Sequence, residues 1–132
     1  MSGATDVAAM LAGLRVHARP GEYVFVTGTD PGLVGHAEAS VREDEGLCCV
    51  LRREYADAMG LDYGFVAAWL TLEVHSALEA VGLTARVAAA LAAQGIACNV
   101  LAGFHHDHLL VPAPRRDDAL AALRVLARER DR

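Results

Sequence analysis

Four of the chain's six histidines fall in two nearby places: His105, His106 and His108 around Asp107, and His75 further upstream. If this stretch is a strand, His106 and His108 share one face while His105 and Asp107 share the other. With His75 at the end of a preceding strand, the H-x-H pair makes a zinc set conceivable, although no C-x-x-C or H-E-x-x-H accompanies it. A competing reading has the imidazoles and the aspartate fixing a hairpin tip by bonding to backbone. In a third, that tip and the segment from Ser76 to Thr84 rim a small-ligand pocket, with N–H groups at a helix start near Gly82 holding a carboxylate. Asn99, between Ala97 and Leu101, predicts a buried amide that must find a partner, in an adjacent strand, in the Ser76 loop or in a ligand. Glu73 is expected exposed. Among the nucleophiles, Cys98 sits in the apolar run Ile96-Ala97-Cys98, where a thiol packs and does not react. Ser76 lacks a G-x-S-x-G elbow, and the Cys48-Cys49 pair carries no nucleophile signature either. No catalytic residue is assigned.

Elements that would position these groups follow from periodicity. Asp6 and Gly13 bracket a short helix over Val7 to Ala12. Leu14, Val16 and Ala18 alternate with Arg15, His17 and Arg19, a strand with one wet face, and after Pro20-Gly21 the β-branched run Tyr23 to Thr27 should return against it. Gly28 to Gly35 reads as a loop; its Thr29-Asp30-Pro31-Gly32-Leu33 turn is taken as solvent-facing because no helix is expected after it. Ala37 to Arg42 and Leu47 to Leu51 form a hairpin over Glu43-Asp44-Glu45-Gly46, and Arg52 to Met59 makes two helical turns stopped by Gly60.

Val66 to Val74 is apolar on both faces, which marks a central strand. A helix from about Thr84 to Gln94, with Gly95 as its stop, leads into a hairpin of Ile96 to Ala102 and Asp107 to Val111. Pro114 and Asp117-Asp118 open a final helix carrying Leu120, Leu123 and Leu126 at helical spacing. The second half is therefore β-α-β-β-α, one strand short of a ferredoxin-like unit, and a strand from the first half could supply that edge. A sheet with helices on a single face accommodates all of this.

With 132 residues, the chain fits one domain or two very small ones sharing a core. All 12 basic residues are arginines, against 17 acidic ones, and there are 26 alanines and no lysine. Lysine Schiff-base and P-loop chemistry are thereby excluded. A net charge of −5 argues against nucleic acid as a partner. No apolar stretch approaches the roughly 20 residues of a membrane span, and Met1 to Asp6 does not read as a secretory signal. Three cysteines, an odd number, suit a reducing compartment, so a cytoplasmic protein is expected.

Two segments resemble a known family. Leu72-Glu73-Val74-His75-Ser76 with Leu78-Glu79-Ala80-Val81-Gly82-Leu83-Thr84, and Cys98-Asn99-Val100 with Ala102-Gly103-Phe104-His105-His106-Asp107-His108-Leu109, are similar to short bacterial stand-alone ACT-domain proteins, largely uncharacterised. Their ACT module is related to that of the mammalian cytosolic arginine sensor. The resemblance implies an α+β, ferredoxin-like ACT fold (βαββαβ), in tandem: a small incomplete ACT-like half at 1–64 and an ACT domain at 65–132. It also implies a non-enzymatic regulatory protein that binds a small molecule, an amino acid, between its halves or between the subunits of a homodimer, and that acts on a separate protein. The ligand residues it implies are His75, Ser76, Val81, Gly82, Leu83, Thr84, Cys98, Asn99 and Val100; His105, His106, Asp107 and His108 join them from the hairpin tip. No cofactor, nucleic acid or membrane is expected. The alternatives are a small metal-dependent enzyme centred on His75, His106 and His108, and a purely structural interaction subunit.

Overall fold

The computed structural model describes residues 3–74 and 82–128, so His75, Ser76 and Val81 lie outside the described residues. Contacts divide the chain into two compact units, Pro20–Ala68 and a second built from Met1–Arg19 with Trp69–Arg132.

In chain order the elements are α1 (Gly3–Ala12), β1 (Arg15–Ala18), β2 (Tyr23–Gly28), a 3-10 helix (Pro31–His36), β3 (Ala39–Glu43), β4 (Gly46–Arg52), α2 (Arg53–Ala58) and β5 (Val66–Glu73). There follow α3 (Leu83–Ala93), β6 (Asn99–Ala102), β7 (Asp107–Pro112), a 3-10 turn (Ala113–Arg115) and α4 (Arg116–Arg128).

Within Pro20–Ala68 the strand order is β3-β4-β2-β5, with antiparallel pairing that sets Tyr23 opposite Arg52, Ala39 opposite Val50 and Val24 opposite Val66. Val24, Val26, Cys49 and Leu51 share one face and form a core with Leu33 of the 3-10 helix and Ala56 of α2. The chain order β2, 3-10, β3, β4, α2, β5 is βαββαβ with the first helix cut to a 3-10 segment. Asp30 caps that segment, accepting from the Gly32 N–H at 2.8 Å, so the expected solvent loop is helical. A single short 3-10 helix leaves no periodicity to detect.

In the other unit β1 runs antiparallel to β5, with Arg15 opposite Glu73 and Ala18 opposite Leu70, and the order is β1-β5-β7-β6. β1, a strand of the first half, thus fills the edge that β5, α3, β6, β7 and α4 leave open. It does not receive β2, which pairs with β4 and the first residues of β5 instead. Leu70 and Leu72 are buried, as are Leu83, Val87 and Leu91 of α3 and Leu120, Leu123 and Leu126 of α4. Helix α4 packs on α1, α3, β1 and β7.

The end of α3 explains why β6 starts at Asn99 and not at Ile96. Gly95, at φ +69°, donates to the Ala92 carbonyl at 2.9 Å, and Ile96 donates to Leu91 at 3.0 Å. That is a Schellman cap, whose closing residue is consumed by the helix and turned into the core. The thiols of Cys48, Cys49 and Cys98 are free, and burial pushes all three above their ordinary value; at Cys48 the Glu43 carboxylate and Cys49 add to the rise.

Candidate functional site

Antiparallel register brings Arg15, the first residue of β1, directly opposite Glu73, the last of β5. Both are exposed and together they flank a cleft of about 440 Å³ whose other walls are Gly13, Val74 and the β6–β7 turn. Neither makes an ion pair among the described residues. A cation and an anion are therefore held at one cleft by the β1/β5 pairing.

The turn is built around Gly103, which donates to the His106 carbonyl at 2.9 Å. A Cβ at Gly103 would lie 2.7 Å from that carbonyl and 3.0 Å from His108 Nε2, so no larger residue fits without displacing the turn. The tight closure throws Phe104 outward, 83% exposed, with the His105 ring edge-on to it at 4.9 Å. His105 and His106 line the cleft beside Glu73.

β7 begins only at Asp107, so strand alternation does not place His106 with His108. His106 goes to the cleft, whereas His108 turns inward onto β5. There its Nδ1 lies 3.1 Å from Trp69 Nε1 and 3.0 Å from Thr71 Oγ1, and the Arg19 guanidinium stands 4.1 Å from the Trp69 ring centre. Burial, first, and then the Arg19 and His106 charges hold the His108 imidazole below its ordinary value of 6.5, with Asp107 opposing them. Among the described residues, no three histidine, cysteine or acidic side chains come together as a metal set.

The remaining expected residues are dispersed. Gly82 caps α3 at φ +101°, and a Cβ there would stand 2.8 Å from Val7 Cγ2, so its close neighbour is helix α1. Leu83 is a core residue and Thr84 is exposed. Cys98 is half-buried. Asn99 is exposed, not buried as expected, because β6 is the edge strand; its Nδ2 donates to the Leu110 carbonyl at 3.3 Å and pins β6 to β7. Val100, also on that edge, is exposed, and Asp107 starts β7 opposite Ala102. Sequence reasoning passed over Arg15, Phe104, Trp69 and Thr71. Arg15 carried a signal as the wet-face residue of a strand, but only register joins it to Glu73.

A family model of the ACT domain matches residues 2–68, and a second ACT-domain model matches residues 65–125. The chain belongs to the ACT-domain family. No curated protein matches it. Among solved structures, the chain is similar to a Vibrio cholerae protein of unknown function, described as a "possible transport protein", at 38% identity and a TM-score of 0.87, covering 96% of this chain and 100% of that one. An Agrobacterium tumefaciens protein follows at 20% identity and TM-score 0.66, covering 86% and 89%. The regulatory subunit of aspartate kinase from Thermus thermophilus, in ligand-free form, shares the ACT fold at 11% identity and TM-score 0.63, covering 84% and 95%. No helix among the described residues is long and apolar enough to cross a membrane.

Proposed function

We propose that this ACT-family protein is a non-enzymatic regulatory binder of an amino acid, held in the cleft at the end of β5. One observation carries the reading: Arg15 and Glu73, fixed opposite each other by the β1/β5 register, present one guanidinium and one carboxylate to the same cleft. A zwitterionic α-amino acid is the small molecule that satisfies both at once, its carboxylate on the Arg15 fork and its ammonium on Glu73. Phe104, His105 and His106 then face the ligand side chain. The regulatory role of the aspartate kinase subunit, which shares the fold, supports the same reading.

The proposal includes the division into halves at 1–64 and 65–132 and, apart from the cleft residues, the ligand contacts that the family resemblance implies at His75, Ser76, Val81, Gly82, Leu83, Thr84, Cys98, Asn99 and Val100. A cytoplasmic setting, a homodimer and a separate regulated protein complete it. A thermal-shift screen of the proteinogenic amino acids tests it, because a ligand at 100 times its Kd adds about 2.7 kcal/mol. At least one amino acid should raise Tm. Arg15→Ala and Glu73→Ala should each weaken its binding about tenfold or more, the usual scale for a lost charge-assisted bond. A shift that neither substitution changes would move the ligand elsewhere, and no shift at millimolar concentrations would remove the amino-acid reading.

A further inference from the structure

His108 offers one nitrogen to two neighbours. Trp69 Nε1 and Thr71 Oγ1 approach the same Nδ1, at 3.1 Å and 3.0 Å. An indole N–H can only donate, and a neutral imidazole nitrogen has a single lone pair, so Trp69 occupies it and the ring proton resides on Nε2. A proton on Nδ1 reverses the arrangement: two N–H groups then face each other, and only the Thr71 hydroxyl can accept. Thr71 is buried on β5 and cannot turn to water for an alternative.

We propose that His108 is a protonation switch, which on acidification passes its Nδ1 hydrogen bond from Trp69 to Thr71 and loosens the turn that carries His105 and His106. The ring stands beside the turn, since His108 Nε2 lies 3.0 Å from where a Gly103 Cβ would stand and Gly103 closes the turn on the His106 carbonyl. A shift of the ring therefore displaces the turn.

Charged and titratable groups face the imidazole from each neighbouring element. Arg19, just after β1, places its cation over the Trp69 ring at 4.1 Å and opposes a second cation beside it. His106 in the turn opposes it too, and Asp107 on β7 favours it. β5 contributes the uncharged Trp69 and Thr71, then Glu73 at its end; β1 sets His17 opposite Thr71; β6 presents apolar Leu101 opposite His108. Burial first, then Arg19 and His106, disfavour the protonated ring, so it takes up its proton at a lower pH than an ordinary histidine. The consequence for the cleft rests on the ligand reading above; the switch itself does not.

Trp69 is the chain's only tryptophan, so its emission reports on His108 directly, because a protonated imidazole quenches an adjacent indole. The ligand-free full-length chain is titrated from about pH 8 to about pH 5. The expected result is a reversible one-proton fall in emission with its midpoint below 6.5. His108→Gln should abolish it. Thr71→Val, which removes the acceptor of the protonated ring, should lower the midpoint, and Arg19→Gln should raise it. Both of these retain His108 and stand in if His108→Gln does not fold. Hydrogen exchange at the Gly103 amide, corrected for intrinsic rates, should lose protection across the same midpoint. A flat titration, a transition that survives His108→Gln, or midpoints unmoved in the other two variants would overturn the switch. Unchanged Gly103 exchange while the indole signal titrates would overturn its link to the turn. Since no ligand is present, failure here is separate from failure of the amino-acid reading.

Discussion

Gly82 and Val7 illustrate how a residue with a readable signal acquires its meaning from a distant partner. The sequence marks Gly82 as a helix start, and the family resemblance makes it a ligand contact. In the fold the neighbour is Val7 Cγ2, 2.8 Å from a hypothetical Cβ, on a backbone at φ +101°. Gly82→Ala should therefore lower stability by about 1–3 kcal/mol, from positive-φ strain and overpacking together. Urea unfolding measures this, and Val7→Ala in the same chain should recover the overpacking part. Absence of any recovery would assign the whole cost to φ. Asn99 is a parallel case: its need for a partner was legible, but its exposure was not, because edge position is a property of strand order.

At the scale of elements, helix ends were the most readable features, since caps are local chemistry. Gly60 and Gly95 both follow helices where a single glycine marks the stop, at φ +66° and +69°. The 3-10 helix at Pro31–His36 escaped because it is too short for a repeat, although its cap was visible as Asp30 two residues before Gly32. Asp30→Ala should reduce stability by about 1 kcal/mol, with Asp30→Asn retaining most of it. Chemical denaturation distinguishes the two; equal losses would mean that the carboxylate charge, and not the cap bond to Gly32, supports the segment. Gly103→Ala should disturb the β6–β7 turn itself, because the obstructing atom is the backbone oxygen of His106 and cannot rotate away. Amide exchange in the turn reports that loss.

For the molecule as a whole, His108 links stability to pH. Its folded-state value lies below that of the unfolded chain, so stability is full above about pH 6.5 and falls as pH drops, where the unfolded chain takes up a proton that the folded one resists. The decline in unfolding free energy between about pH 7.5 and pH 5.5 should be smaller in His108→Gln than in the wild type, and equal slopes would detach this histidine from the effect. Composition and periodicity suffice to establish an acidic, lysine-free α+β chain, most of its strands and helices, the hairpins and the central strand at Val66, because each depends on contacts or repeats close in sequence. They also show that the second half lacks one strand. That β1 supplies it, that Arg15 thereby meets Glu73 at one cleft, and that His106 and His108 part company at the start of β7 are decided by long-range pairing. Register is set by which faces can be buried together, and a linear pattern does not contain that choice.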